Sequence, residues 1–318
     1  MIRVVISCGD PAGIGYEIVM KSLIRYSPSD VQFSLCCAPS VFESVAHIIP
    51  QSEKFFDLIK SNIVKLISVS NDSDFITGRI DMKCGRVAYD SFITAVDKVI
   101  SEQCDAIVTA PVSKKAIRLS GIEFTGHTEI LGEKFRCPIT MMLFAKDFRV
   151  ALVTTHIPLK KVPEFIRSEN IFGHIQRLHS ALKNWFGINE PKIAVLGLNP
   201  HSGESGTIGD EETEIEDAIS RAIGLGIQID GPLVPDVAFL PSQREKYDAY
   251  LTMYHDQGSI PLKAFGFKFG VNITLGLPKP RTSPDHGTAF DIAGRGIADP
   301  ESFIQALKTA IEICRKSN

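Results

Sequence analysis

The chain has 318 residues, of which 44% are hydrophobic and 22% charged, with a formal net charge of -3. That is enough for two domains with sizeable cores, and it excludes disordered and fibrous classes. The small negative charge leaves no broad basic surface for nucleic acid, although a local basic pocket can still hold a small anion.

The opening stretch "MIRVVISCGDPAG" enters a strand directly, without a charged leader or cleavage site, and no later run reaches membrane-spanning length. A cytoplasmic protein with no membrane partner is expected. The strand over 4–7 gives way to a helix from about Tyr16; a strand over 33–38 and a helical run over 41–48 follow, then a helix over 86–100 and a strand over 106–111. Such alternation, with continuously apolar strands, predicts an α/β protein whose mostly parallel sheet is covered by helices. The segment "PITMMLFAKDFRVALVTTHI" predicts two strands joined as a hairpin through Lys146, Asp147 and Phe148, and hence a second subdomain. Parallel character returns with 192–198, a helix over 211–225 and a strand over 249–254, and an amphipathic helix over 300–315 closes the chain. Seven cysteines without CxxC spacing, an odd number, predict reduced, buried thiols.

Several stretches carry chemistry. "GDPAGIGYEI" sets Gly9, Gly13 and Gly15 before a helix, which suits either a phosphate cradle or a tight structural turn. In "FTGHTEIL", His127 and Thr128 stand at a helix start, as ligand contacts or as part of a capped terminus. Three apolar strands run into histidines: His156, His201 and His255. The carboxyl ends of parallel strands gather along one edge, where three imidazoles can bind a divalent metal; each can equally be a hydrogen-bonded structural histidine. Lys263, on a turn after His255, with Asn272 and Arg281, suits a small phosphate or carboxylate, against the alternative of solvated surface cations. "DHGTAFDIAGRGIADP" reads as a nucleotide loop or as a helix with glycine-rich ends.

Taken together, "GDPAGIG", "VTAPVSK", "FTGHTEIL", "TTHIPL", "GLNPHSGESG", "MYHDQG" and "RTSPDHGTAFDIAG", in that order over nearly the whole chain, resemble the 4-hydroxythreonine-4-phosphate dehydrogenases of pyridoxal phosphate biosynthesis. The resemblance implies an isocitrate/isopropylmalate-dehydrogenase-like fold of two α/β domains, 1–125 with 279–318 and 126–278. It further implies a homodimer with the active site in an interdomain cleft near the dimer interface. His156, His201 and His255 match the family's divalent-metal ligands (Zn, Mg, Mn or Co), one of them expected from the partner subunit. His127, Thr128, Lys263, Asn272 and Arg281 match its substrate contacts. NAD, or NADP, is expected against His286, Gly287, Thr288, Ala289 and Asp291.

The implied reaction oxidises 4-phosphooxy-L-threonine at C3 and is followed by loss of CO₂. Lys263 and Asp236, the latter in "LVPDVAFL", are the catalytic candidates, with Asp236 equally readable as a capping residue. Tyr16 and Ser113 stand where the family commonly has Pro and His, which touches substrate preference more than reaction type. Oxidation of threonate or erythronate 4-phosphate is the alternative, and a phosphate acyltransferase or a non-catalytic binding module are more distant ones.

Overall fold

The computed structural model describes residues 1–266 and 269–317. Its strands are β1 (Ile2–Ser7), β2 (Val31–Cys37), β3 (Val64–Ser68), β4 (Ala106–Thr109), β5 (Thr140–Ala145), β6 (Phe148–Leu152), β7 (Lys192–Leu196), β8 (Gln228–Leu233), β9 (Ala249–Thr252), β10 (Val271–Leu275) and β11 (Arg281–Pro284). The chain forms two compact units, the first made of Met1–Cys137 with Leu277–Lys316 and the second of Pro138–Gly276.

In the first unit the strand order is β3-β2-β1-β4-β11, and every pair is parallel. Val4, Val5 and Ile6 on β1 and Ile107 and Val108 on β4 are essentially inaccessible. Both faces of these strands are therefore covered, as their unbroken apolar runs require, and each such side chain contributes about 1.5–3 kcal/mol by leaving water. The helix Met82–Ile100 lies on this sheet and begins at Asp81, whose side chain accepts from the Lys83 and Cys84 amides. Because the strands run the same way, the turns after Ser7, Thr109 and Pro284 leave along one edge.

The second unit has the order β10-β5-β6-β9-β7-β8. The β5–β6 pair is the antiparallel hairpin expected from the sequence, and β10 adds a further antiparallel strand, whereas β6, β9, β7 and β8 are parallel. Met141, Leu143, Val150, Leu152, Leu196 and Tyr250 form its core. The ends of β6, β9 and β7 thus lie side by side, and each strand is followed within a few residues by one of the three histidines.

No disulfide links the seven cysteines, and six of them are buried. Among the described residues no helix is long and apolar enough to cross a membrane.

Candidate active site

Arg281 heads β11 and is only 2% exposed. Its Nη2 donates to Thr109 Oγ1 at 2.7 Å, at the end of β4. Burial pushes the guanidinium pKa down to about 10, opposed by the charge of Glu129. A guanidinium kept from water in this way is not the solvated surface arginine that composition alone allows.

His127 opens the helix His127–Phe135. Its ring is flanked by Phe92 and Phe124, with centroids at 4.5 and 5.7 Å. The residue keeps some solvent contact, but Nε2 is buried and without a hydrogen-bond partner among the described residues. Burial, and after it the charges of Arg281 and Lys114, hold the imidazole pKa well below its ordinary value. His127 is therefore a neutral imidazole close to a buried cation, with one ring nitrogen to offer a polar ligand. No side chain caps this helix; instead Lys114 Nζ donates to the Thr125 carbonyl at 2.5 Å and pins the turn that presents His127 and Thr128.

The stretch from His286 to Asp291 is a loop of turns between β11 and the helix Glu301–Ser317. Its position is fixed by a hydrogen bond from the Ile14 amide to the Thr288 carbonyl at 3.0 Å, so the "GDPAGIG" turn serves as the bed of this loop. Ala289 sits at φ +43°, a backbone strain for a residue with a side chain. His286 donates from Nδ1 to the Gly287 carbonyl at 3.1 Å, which leaves Nε2 as a buried acceptor without a partner among the described residues. Space around Gly287 is open, since a Cβ there would meet nothing within 4 Å. Exposed backbone, free space and an unsatisfied ring nitrogen suit a polar, hydroxyl-bearing cofactor. Sequence reasoning passed over the brace of this loop: Lys21 Nζ donates to the carbonyls of Gly296 and Ala298, both at 2.8 Å, and to Glu17 Oε1 at 2.7 Å. Glu17 in turn accepts from the Ala298 amide at 2.8 Å. The i,i+4 spacing of Glu17 and Lys21 was the available signal.

In the second unit, His156 follows β6 and His255 follows β9, and their rings lie 5.7 Å apart between centroids. Two imidazoles sharing one tetrahedral ion at about 2.0–2.1 Å would stand about 5–6 Å apart, so this pair fits a common metal. Asp256 Oδ1 lies 2.7 Å from His255 Nδ1, which directs Nε2 toward a ligand. His201 does not join them in one chain: among the described residues no three His, Cys, Asp or Glu side chains gather as a metal site. His201 lies instead in a turn whose residues His201, Ser202, Gly203, Glu204 and Ser205 all have left-handed backbone angles.

The residues after β9 form the helix His255–Gly266, with Pro261 inside it, so Lys263 is helical and exposed and not on a turn. Gly258 is required there, because a Cβ would come within 2.4 Å of Val150 Cγ1. Asn272 lies on β10, its Oδ1 buried and without a partner among the described residues. Asp236 is exposed in the turns after β8.

Comparison with known proteins bears on this geometry. The family described as "Pyridoxal phosphate biosynthetic protein PdxA" matches residues 29–310. The chain is 40% identical to the 4-hydroxythreonine-4-phosphate dehydrogenase of Sulfurihydrogenibium sp. over 323 aligned residues, covering 99% of each chain. It is 40% identical to that of Yersinia enterocolitica over 326, covering 99% of this chain and 98% of the relative. Among solved structures it is similar to the 4-hydroxythreonine-4-phosphate dehydrogenase of Klebsiella pneumoniae, with a TM-score of 0.82, 33% identity, and coverage of 98% of this chain and 99% of that one.

Proposed function

We propose, from the premise that the chain belongs to the PdxA family and is an oxidoreductase of its 4-hydroxythreonine-4-phosphate dehydrogenase type, the following reaction in full. The C3 hydroxyl of 4-phosphooxy-L-threonine is oxidised with NAD⁺ or NADP⁺ as hydride acceptor, giving 2-amino-3-oxo-4-phosphooxybutanoate. That β-keto acid breaks its C1–C2 bond, releases CO₂ and takes up a proton at C2 to give 3-amino-2-oxopropyl phosphate. The observation that carries this reading is the buried guanidinium of Arg281, held by Thr109 and accompanied by the neutral imidazole of His127.

Arg281 binds the substrate's anionic end. Because its hydrogen-bond geometry to Thr109 is set beforehand, binding energy spent there orients the distant reacting carbon. His127, Thr128, Lys263 and Asn272 are assigned as the other substrate contacts. The stretch His286, Gly287, Thr288, Ala289 and Asp291 would hold the cofactor. His156 and His255, with His201, would hold a divalent metal, one of the three supplied across a homodimer. When bound, the nicotinamide provides the hydride acceptor, and a divalent ion such as Zn²⁺, Mg²⁺, Mn²⁺ or Co²⁺ provides Lewis-acid charge that favours the ionised C3 hydroxyl. Of the two catalytic candidates, Asp236 is the one for taking up the proton and, being exposed, can pass it to water, while Lys263 faces the bound anion.

The test is reduced-nicotinamide formation from 4-phosphooxy-L-threonine by chelator-stripped protein, before and after each metal is restored. Metal-restored turnover is expected. Turnover of threonate or erythronate 4-phosphate alone would move the assignment to sugar-acid phosphates, and a rate indifferent to chelation would remove the metal.

A further inference from the structure

We propose that Glu212 and Gln257 are positioning residues that hold the His201 turn and the His255 helix in fixed relation; the inference rests on the metal-binding role assigned above to those histidines. It starts from backbone strain. His201, Ser202, Glu204 and Ser205 have φ of 53°, 51°, 46° and 56°, with Gly203 at 74° between them. Left-handed geometry costs an L-residue about 1–2 kcal/mol, so four non-glycine residues within a run of five need a strong external hold.

Glu212 provides one hold. It begins the helix Glu212–Gly224 and is 5% exposed. Its Oε1 accepts from the Leu198 and Asn199 amides at 3.0 and 2.8 Å, and its Oε2 accepts from Asn199 Nδ2 at 3.0 Å. The same carboxylate presses on the turn itself, where a Cβ on Gly203 would lie 2.6 Å from Oε2. One buried carboxylate thus bonds the entry to the turn and lies against its middle.

Gln257 provides the other hold. It is 8% exposed, accepts from the Met253 amide at 2.7 Å and donates from Nε2 to the Gly197 carbonyl at 2.8 Å. Its side chain therefore joins the start of the His255 helix to the residue next to Leu198. Hydrogen bonds lead from the helix Glu212–Gly224 through Glu212 to the 198–199 backbone, and from the neighbouring Gly197 carbonyl through Gln257 to Met253, two residues before His255. Neither Glu212 nor Gln257 is a histidine or a substrate contact, so both act through others. The left-handed turn is the part that relaxes when a hold is lost.

Each side chain can be unmade at almost constant size. In Glu212→Gln an amide nitrogen replaces one of two accepting oxygens that together face three N–H donors. Gln257→Met removes the donor and the acceptor together. The measurement is Co²⁺ titration of chelator-stripped full-length protein, read by visible d–d absorption, with thermal unfolding of the same samples. His201→Ala serves as the reference for a lost ligand, and Glu216→Gln, at an exposed position of the same helix, as a control.

Both positioning variants are expected to bind Co²⁺ about 10- to 100-fold more weakly with an altered spectrum, while the control matches wild type. Unchanged Co²⁺ affinity and spectrum in either folded variant would overturn the role of that residue. Should Glu212→Gln not fold, Glu212→Asp, which draws the carboxylate back from the Leu198 and Asn199 amides, carries the same expectation for that hold. Wild-type protein that takes up no Co²⁺ would instead refute the metal assignment. Weakening by His201→Ala, but by neither positioning variant, would sink this inference alone.

Discussion

Arg281 and His255 differ in how far the fold shields them. Arg281 is 2% exposed and bonded to Thr109, whereas the side chain of His255 is 32% exposed and held by one carboxylate of its own helix. The buried guanidinium is already dehydrated, so under the role proposed for it little reorganisation would be left when an anion arrives. The histidines are left open by the fold, and their geometry is kept by holds lying behind them. One region is preset by burial, the other by hydrogen bonds to backbone.

Removing the preset cation breaks the comparison most severely. Arg281→Met is expected to lower kcat/KM for 4-phosphooxy-L-threonine by about 100-fold or more, the scale of a lost desolvated charge contact of about 2–5 kcal/mol. Replacing a buried charge by an apolar side chain is often neutral for stability, so the unfolding temperature should hold while activity collapses. Kinetics within threefold of wild type would remove Arg281 from the site.

Titration sharpens the contrast between the two units. Asp10 is buried in the first unit with one oxygen bonded to the Ala12 amide, and burial raises its pKa to about 6. A carboxyl whose folded pKa is raised binds its proton more tightly when folded, so its contribution is greatest below pH 4 and is lost as pH rises through 6. The size is about 3 kcal/mol at about 1.4 kcal/mol per unit. His174 in the second unit has the opposite sign. Burial, then Arg177, lowers its pKa to about 3, so its contribution is present above pH 6.5 and is lost as pH falls toward 3. Thr140 Oγ1 accepts from Arg177 Nε at 2.8 Å and shares a 2.7 Å hydrogen bond with His174 Nδ1, which ties the ring beside the Arg177 cation. Chemical denaturation from pH 4 to 8 should show Asp10→Asn gaining stability over wild type as pH rises, and His174→Gln losing less than wild type on the acid side. Parallel pH profiles for wild type and variants would contradict both assignments.

The smallest effect is expected at the open end. Asp256→Asn leaves both ligand rings in place and loosens only the orientation of His255, so Co²⁺ affinity should fall about tenfold. No change would make the 2.7 Å contact to His255 incidental.

Much of this was legible before any coordinates. Unbroken apolar runs such as 4–7 and 106–109 declare strands buried on both faces, and the pair around Lys146 and Asp147 declares a hairpin. That three strand ends carry histidines on one edge follows from parallel order. What stayed hidden depends on partners far off in sequence. Arg281 has the composition of a surface cation, and it is buried beside β4, where it bonds Thr109. Glu212 sits in "DEETEIED", a charge run that reads as solvated, yet it is among the most buried carboxylates of the chain. Gly258 and Pro261 argued for a turn where a helix forms, because tight packing on β6 outweighs their poor helix propensity. The left-handed turn at His201 contains a single glycine among five residues, so no local preference announces it.

The first unit is made of two stretches of chain separated by the whole of the second. During synthesis the segment up to Cys137 emerges with β4 lacking β11 and with no loop to rest on the amide of Ile14. At about 5–20 residues per second the ribosome needs roughly 7–30 s to deliver the missing strand. For that interval an apolar parallel edge stands unpaired, while Pro138–Gly276, being continuous, is free to fold on its own schedule. The stretch after Gly276 therefore closes this sheet and shapes the 286–291 loop in one event, and a chain terminated before it would lose both together.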